Sequence, residues 1–514
     1  YNLGPIRAPS ALRDDAVPAL ATLVRRRPLA LLFAAALVLR VGAVGLLPPP
    51  AGRPSTYEHG AIAENLLAGR GFSVWFLGTE GPTSQQAPWV PLVLSGCYAL
   101  LGAGSNGAIL TYQLLQCAAG AALVVCVVRW AWNLFPERPA IGWCAGAAAA
   151  LYPPHVYMCT HVQAATWGAL GVGGLFALVS AREPGASPRR AAAAGVVAGW
   201  LLWIDPILAL PTVGAMLELY RSAQRTSAGS QTFGLRRSLP AARCVGLAGL
   251  CAAAVAAPWI VRNYAVHGEF VLIKSTFGYA FWQGNNPASR GTDKIPKPEA
   301  AALAAAHDGS PADRHRALWE ARHETLYIGD MLLRPGGSRE FAGLSEPERS
   351  RRLGSRAWDF IVEHPADYAR LCLRRLQYFL LWDETNPKAA NPIYQAASTA
   401  WLVLSLVGLM AAGRARRTLA PSVAALLLTT LFHALTITSA RFRIPVEACG
   451  FLWASAGFMP ALANIAGYLR GARRATPEPE AAANSPESTT RRGPAVGPHF
   501  GTRTSKRSRT GRPR

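Results

Sequence analysis

Charged residues are scarce in this sequence, and their scarcity sets the class of protein. Only 16% of the 514 residues are Asp, Glu, Lys or Arg, whereas 51% are hydrophobic. Apolar runs of about 20 residues recur, which is the length that crosses the hydrocarbon core of a bilayer. The composition therefore indicates a multi-pass α-helical membrane protein.

Several other features are absent. The nine cysteines form no CxxC pair, so the sequence predicts neither a metal site nor a disulfide framework. No small-residue cleavage site follows the charged segment 1–27, so we expect the first apolar run to remain as a span. Inverted repeats, which would favour a transporter, are not detectable.

Ten apolar runs are candidate spans, at residues 28–47, 107–130, 139–154, 163–181, 191–204, 206–220, 244–262, 393–412, 419–437 and 446–467. With this count every Arg-rich loop falls on one side, which the positive-inside rule assigns to the cytoplasm, together with both termini. The count requires the apolar residues 88–103 to lie in or dip into the outer leaflet without crossing. We therefore expect a plasma-membrane protein whose functional site faces outward.

This topology predicts a cytoplasmic leader at 1–27, a membrane core at 28–262 with an outer loop at 48–106, an outer region at 263–392, the last spans at 393–467 and a disordered basic tail at 468–514. The formal charge of +23 is concentrated in the cytoplasmic loops and the tail, where topology alone predicts it. The charge therefore does not indicate a nucleic-acid partner.

The outer region 263–392 is predicted to be folded. It begins with a strand-like run, EFVLIKS at 269–275, and continues with a helix at 346–362 for which Ser345 and Glu348 form a capping box. Residues 367–382 place three arginines among apolar positions, so we expect them to lie along the membrane surface.

Glu58 stands where the chain leaves the first span, at the start of a short helical pattern, with His59 beside it. A carboxylate at this place could act as a general base, bind a cation or orient an acceptor hydroxyl. The alternative is an exposed acid that the helix dipole stabilises.

Outer cations are the second set of candidates. Arg441 and Arg443 belong to the run RFRIP before the last span, and Arg262 and Lys274 flank the start of the outer region. Guanidinium groups match phosphate in charge and geometry, although outer arginines also extend toward lipid headgroups.

Polar and aromatic groups on the outer side form a third set. Trp282, Asn285 and Asn286 offer a stacking face and amide hydrogen bonds to a sugar, or form only a turn. His161 and Gln163 lie in the loop after the third span.

Asp205 is an acid near the end of its span, so it is either functional or the N-cap of the segment that Pro206 begins.

Six motifs follow one another along the chain: GRGFS, GPT, PWIVRNY, GNNPASRGT, EHPADY and ARFRIP. In this order they resemble the C-type membrane glycosyltransferases, and within them the bacterial relatives of the protein O-mannosyltransferases and of the aminoarabinose transferase. The resemblance covers residues 28–467. It implies a bundle of about ten transmembrane helices with outer interfacial helices and a small mixed outer region.

The resemblance also implies a function, which is transfer of a sugar from a polyprenyl-phosphate donor to a glycan, lipid or protein acceptor on the outer face. By analogy Glu58 is the catalytic base or the group that orients the acceptor, and Arg441, Arg443, Lys274 and Arg262 are candidates to bind the donor phosphate. Many relatives carry a second acid where Gln163 stands here, and without that acid a divalent metal ion is less expected. The resemblance therefore implies no cofactor, with a divalent cation as the remaining alternative.

Two other classes remain open from the residues alone. Asp205 and Arg40 at membrane depth could line the pathway of a transporter. Loss of the second acid would favour a non-catalytic protein that binds or assembles at the outer face.

Overall fold

The computed structural model describes residues 27–47, 55–76, 79–181, 187–226, 235–287, 289–293, 310 and 343–475. The chain separates into two compact units, residues 1–463 and 464–514, and every contact described below lies in the first.

The described residues form helices and one pair of short strands. The elements are α1 (Pro28–Leu46), α2 (Tyr57–Leu67), β1 (Ser73–Phe76), β2 (Thr79–Pro82), α3 (Trp89–Leu101), α4 (Asn106–Leu134), α5 (Pro139–Leu151), α6 (Pro153–Met158), α7 (Ala165–Val179), α8 (Pro188–Ile204), α9 (Ala209–Thr226), α10 (Leu235–His267), α11 (Phe277–Gly284), α12 (Glu346–Glu363), α13 (Pro365–Leu380), α14 (Pro392–Ala411), α15 (Arg416–Leu435) and α16 (Glu447–Ala475). Single turns of 3₁₀ helix lie at Pro206–Leu208, Pro387–Ala390, Gly413–Ala415, Ala440–Phe442 and Ile444–Val446.

The predicted class, an α-helical membrane protein, is confirmed. Within the described residues five helices are long and apolar enough to cross a membrane, at Pro28–Leu46, Asn106–Leu134, Ser238–His267, Pro392–Ala411 and Gly413–Leu435. A helix occupies each of the ten predicted spans, and α3 occupies the run 88–103. The number of crossings and the orientation of the termini stay predictions.

Helix α4 lies at the centre of the main core and packs against α1, α5 and α7, while α8 packs against α10. Small residues permit the close approach of these helices. A Cβ atom built on Gly195 of α8 would lie 2.3 Å from the carbonyl oxygen of Ala248 in α10. Only glycine fits at this crossing, as is common between membrane helices.

Arg40 is fully buried in the core rather than facing a pathway. Its guanidinium donates to the carbonyl oxygens of Ala36 at 3.1 Å, Ala149 at 3.1 Å and Ala150 at 3.3 Å. The bonds to Ala149 and Ala150 tie α1 to the C-terminal end of α5, where the carbonyl groups have no helical donor of their own.

In the outer region the helix prediction is confirmed and the strand prediction is wrong. Helix α12 spans Glu346–Glu363 and starts with the full Ser345–Glu348 capping box. Residues 269–275 are irregular, because α10 takes their carbonyl groups: Asn263 Nδ2 donates to Val271 and Ile273. The observed strands β1 and β2 form an antiparallel pair elsewhere, with Ser73 opposite Pro82 and Phe76 opposite Thr79.

Helix α13 occupies the predicted surface segment, but one of its three arginines points inward. Arg375 is fully buried and donates from Nε to Leu371 O at 3.1 Å and from Nη2 to Asn285 Oδ1 at 2.9 Å. Its neighbours Arg370 and Arg374 remain exposed.

Candidate functional site

One cavity of about 740 Å³ brings together residues from distant parts of the chain. It lies between the start of α2, the 3₁₀ turn after α8, the segment before and within α11, and the end of α15 with the RFRIP loop. Six predicted site residues line it: Glu58, His59, Gln163, Asp205, Lys274 and Arg441.

Glu58 enters the cavity from the first turn of α2. The side-chain amide of Gln86 donates to its Oε1 atom, so the carboxylate is oriented by the loop before α3. Tyr57, which precedes it, has φ = +51°, a conformation that is uncommon outside glycine and that costs about 1–3 kcal/mol.

Lys274 and Asp205 form the first ion pair of the cavity. Lys274 Nζ lies 3.3 Å from Asp205 Oδ2, with side-chain exposures of 20% and 29%. Asp205 Oδ1 also accepts from the amide of Ile207 at 3.2 Å. The capping interpretation of Asp205 is confirmed. Its carboxylate also lines the cavity, and a functional role stays a prediction.

Arg441 and Asp293 form the second ion pair, with Nη2 and Oδ2 separated by 2.9 Å. Burial lowers the pKa of the Arg441 guanidinium, but the neighbouring groups Asp293, Tyr57, Glu58 and Asp205 together outweigh this effect, so the net shift is upward. Arg441 is therefore permanently charged within the cavity.

His433 also lines the cavity, at the end of α15. Its ring lies between Phe379 and Phe442, with ring centroids 5.2 Å and 4.7 Å away. Nδ1 is 2.8 Å from the carbonyl oxygen of Ile437, which makes Nδ1 the donor and leaves Nε2 as the acceptor in the neutral ring. This tautomer is assigned from the hydrogen bond.

The remaining wall of the cavity is mainly apolar, with Leu208, Phe277, Phe281 and Phe432 among its side chains. Phe277 is 58% exposed, and Leu272 beside it is 44% exposed. The apolar wall therefore reaches the protein surface.

Arg443 lies outside this cavity, although it was predicted with Arg441. It is buried inside the helix bundle, where Nε contacts Glu447 Oε1 at 2.7 Å and Nη2 donates to Ser398 Oγ at 2.9 Å. Its third nitrogen, Nη1, donates to Phe379 O at 3.0 Å. All three nitrogens are thus bonded within the protein.

Arg262 is likewise placed elsewhere. It donates to the carbonyl oxygens of Thr83 at 2.6 Å and Phe72 at 2.9 Å, and it lies over the Phe72 and Trp259 rings. These contacts fasten the loop after β2 to α10.

The predicted sugar-binding amides are engaged in ending α11. Asn285 Nδ2 donates to Phe281 O at 2.9 Å and Thr436 O at 3.1 Å, and Asn286 Nδ2 donates to Trp282 O at 2.7 Å. Trp282 is buried, and none of the three predicted residues is among those that line the cavity described above.

His161 bonds to Lys388 instead of facing the cavity. Because Lys388 Nζ can only donate, His161 Nε2, which lies 2.7 Å away, must accept. Nδ1 then carries the proton and donates to Thr160 Oγ1 at 2.9 Å. Burial, followed by the Lys388 charge, lowers the pKa of His161 to about 4.

Asp293 and His433 line the cavity but were not among the predicted site residues. Asp293 directly follows the run GNNPASRGT, and His433 lies in an apolar span. An acid that closes a motif-bearing run was a signal for Asp293; nothing in the local pattern distinguished His433 from a core residue.

The ionisable groups of the cavity can serve two chemical tasks. Lys274 and Arg441 are cations that can bind an anion, and Glu58 is a carboxylate that can take a proton. Among the described residues, no group of three or more His, Cys, Asp and Glu side chains is close enough to hold a metal ion.

No protein-family model and no curated protein matches the sequence. Among solved structures, the chain is similar to the oligosaccharyltransferase AglB from Archaeoglobus fulgidus, in complex with an inhibitory peptide and a dolichol-phosphate, at 12% identity and a TM-score of 0.49. That match covers 89% of this chain and 53% of AglB, so the chain spans about half the length of that protein.

It is also similar to ArnT from Cupriavidus metallidurans bound to undecaprenyl phosphate, at 16% identity and a TM-score of 0.38, over 87% of this chain and 81% of ArnT. These structures belong to the C-type membrane glycosyltransferases that the sequence motifs resemble. With TM-scores below 0.5, they assign neither an activity nor a substrate to this chain.

Proposed function

We propose that this protein is a membrane glycosyltransferase that moves a sugar from a polyprenyl-phosphate donor to an acceptor hydroxyl on the outer face of the membrane. The observation that carries the proposal is the convergence of Glu58, Lys274 and Arg441 in one cavity. These residues come from three separate parts of the chain, and sugar transfer from a lipid phosphate needs their combination of a base and cations.

The proposed reaction assigns a separate task to each charge. Glu58 accepts the proton of the acceptor hydroxyl. The hydroxyl oxygen forms a bond to the anomeric carbon of the sugar at the same time. The bond from that carbon to the phosphate oxygen breaks, and its electron pair stays on the phosphate. Arg441 and Lys274 stabilise the additional negative charge on the departing polyprenyl phosphate.

The apolar wall suits the rest of such a donor. Phe277 and Leu272 lie at the protein surface, and Leu208 and Phe432 continue the wall inside the cavity. A prenyl chain can therefore remain in lipid while its phosphate reaches the ion pairs.

The transporter alternative lacks a comparable arrangement. Arg40, which would have lined its pathway together with Asp205, is instead buried in the core, and its Nη1 and Nη2 atoms donate to backbone carbonyl groups of α1 and α5. Asp205 is within the cavity but is paired with Lys274.

The experiment compares Glu58→Gln with the wild-type protein in nanodiscs supplied with a panel of undecaprenyl-phosphate monosaccharides. Glutamine keeps the shape of the side chain but cannot accept the proton, so we expect turnover to fall by about 10²–10⁴-fold with donor binding nearly unchanged. Glu64→Gln, which alters an acid on the same helix but outside the cavity, should transfer sugar at the wild-type rate.

Transfer by Glu58→Gln at the rate of the wild type would remove the proposed base. If the wild-type protein itself neither binds nor turns over any of these donors, the transporter or the non-catalytic binding protein becomes the better account.

A further inference from the structure

The cavity contains a carboxylate that the sequence analysis did not single out, Asp293. Its side chain is 15% exposed, and Oδ2 lies 2.9 Å from Nη2 of Arg441. It shares the cavity with Glu58 and with Gln163, which stands where the resemblance implies an acid. An acid is therefore present, but a different part of the chain supplies it.

Hydrogen bonds connect the backbone segment that carries Asp293 to the segment that carries Arg441, close to both side chains. The amide of Thr438 donates to the carbonyl oxygen of Gly291 at 3.2 Å, and Thr292 and Thr438 form a parallel bridge. The backbone is thus fixed three residues before Arg441 and one residue before Asp293. Contacts this near leave the pair little freedom to drift apart.

Arg441 has competing partners. Glu58 and Asp205 also act on its charge, although among the described residues Asp293 is the carboxylate in direct contact with it. Asp293 contacts one terminal nitrogen of a guanidinium group that carries five N–H donors. Without Asp293, Arg441 would turn toward the remaining acids, and pairing with Glu58 would occupy the proposed base.

We propose that Asp293 is a positioning residue, which holds Arg441 so that its other N–H groups face the phosphate of the lipid-linked ligand and stay away from Glu58. This inference rests on the proposed function, because it requires Arg441 to bind that phosphate. The opposing effect is repulsion between the Asp293 carboxylate and the phosphate, which would make the loss of Asp293 tighten binding.

Binding of undecaprenyl phosphate to the full chain in nanodiscs decides between the two effects. We expect Asp293→Asn to weaken binding by about tenfold and Asp293→Glu, which restores the carboxylate, to recover part of the loss. In an Arg441→Ala background, Asp293→Asn should cause no further loss, since it acts through that side chain.

Asp367→Asn is the matched control. It removes the acid of the Arg370–Asp367 pair on α13, whose side chains are 63% and 52% exposed, and it should bind like the wild type. Thermal unfolding of every variant separates a folding defect from a binding defect. If Asp293→Asn does not fold, the comparison of Asp293→Glu alone with Asp293→Glu in the Arg441→Ala background replaces it.

Unchanged or tighter binding by Asp293→Asn would overturn the positioning role, and so would a further loss in the Arg441→Ala background. Unchanged binding by Arg441→Ala alone would instead show that Arg441 does not bind the phosphate. That result contradicts the proposed function, whatever the Asp293 variants do.

Discussion

Two arginines that are two residues apart, Arg441 and Arg443, lie in regions of opposite character. The Arg441 side chain is 35% exposed and lines the cavity with one carboxylate partner in contact. The Arg443 side chain is 2% exposed and lies among helices, paired with Glu447, which is itself fully buried. The short 3₁₀ turns of the RFRIP loop send one guanidinium to each side.

The difference in hydrogen bonding between the two arginines shows which of them can bind a ligand. Arg443 directs its nitrogens to Glu447, Ser398 and the carbonyl groups that end α13, and its guanidinium lies 4.7 Å from the centre of the Trp401 ring. A guanidinium with every donor bonded in this way stabilises the fold. A guanidinium in a cavity with donors beyond its single ion pair can bind a ligand.

The largest expected effect comes from Arg443→Ala. The change leaves Glu447 as a buried charge without its arginine, and breaking a buried pair costs about 3–5 kcal/mol. We therefore expect a strongly lowered melting temperature or loss of folded protein, measured by thermal unfolding and size-exclusion chromatography in detergent. Arg441→Ala, as the matched variant, should melt close to the wild type but bind undecaprenyl phosphate more weakly.

Replacing both partners sharpens this comparison. Arg443→Met with Glu447→Met removes both charges and should recover much of the stability that Arg443→Ala loses. A stable Arg443→Ala protein that fails only to bind the lipid phosphate would return Arg443 to the ligand-binding residues.

A smaller effect is expected at the other pair of predicted cations, Arg262 and Lys274. Arg262→Ala removes charge-assisted hydrogen bonds to Phe72 and Thr83, but Arg262 is only half-buried and its loss leaves no buried charge without a partner. Stability should therefore fall by about 1.5–3 kcal/mol in total, while the folded protein binds undecaprenyl phosphate normally. Lys274→Ala should do the reverse, because Lys274 lies in the cavity. Equal losses of binding in the two variants would mean that Arg262 also reaches the ligand.

Local patterns made much of the fold predictable. The capping box of Ser345 and Glu348 depends on residues three positions apart, and the helices at the apolar runs depend on their length and composition. The strand predicted at 269–275 failed because its β-branched residues lie against α10, where the side chains of Asn263 and Trp259 take the carbonyl groups that a partner strand would need.

The site was predictable by residue type but not by placement. Acids and cations on the predicted outer side included Glu58 and Arg441, which do share the cavity. Sequence could not distinguish Arg441 from Arg443, because the difference lies in the Glu447 partner on α16 and in the end of α13. The position of Asp293 beside Arg441 likewise depends on a long-range contact, the hydrogen bond between residues 291 and 438.

The smallest expected effect concerns pH and lies outside the cavity, at His161. Its pKa is lowered in the folded protein to about 4 from an ordinary value of 6.5, so the neutral ring that accepts from Lys388 is favoured by folding. The contribution to stability is fully present above pH 6.5 and is lost as the pH falls toward about 4, since the unfolded chain takes up the proton first.

In His161→Gln this titration is removed, and the difference in melting temperature from the wild type should shrink between pH 6.5 and 4. Because His161 does not line the cavity, the affinity for undecaprenyl phosphate should differ little between the two proteins over that range. A pH-independent difference in melting temperature would mean that folding does not favour the neutral ring of His161, and a pH-dependent difference in affinity would extend the site to the contact with Lys388.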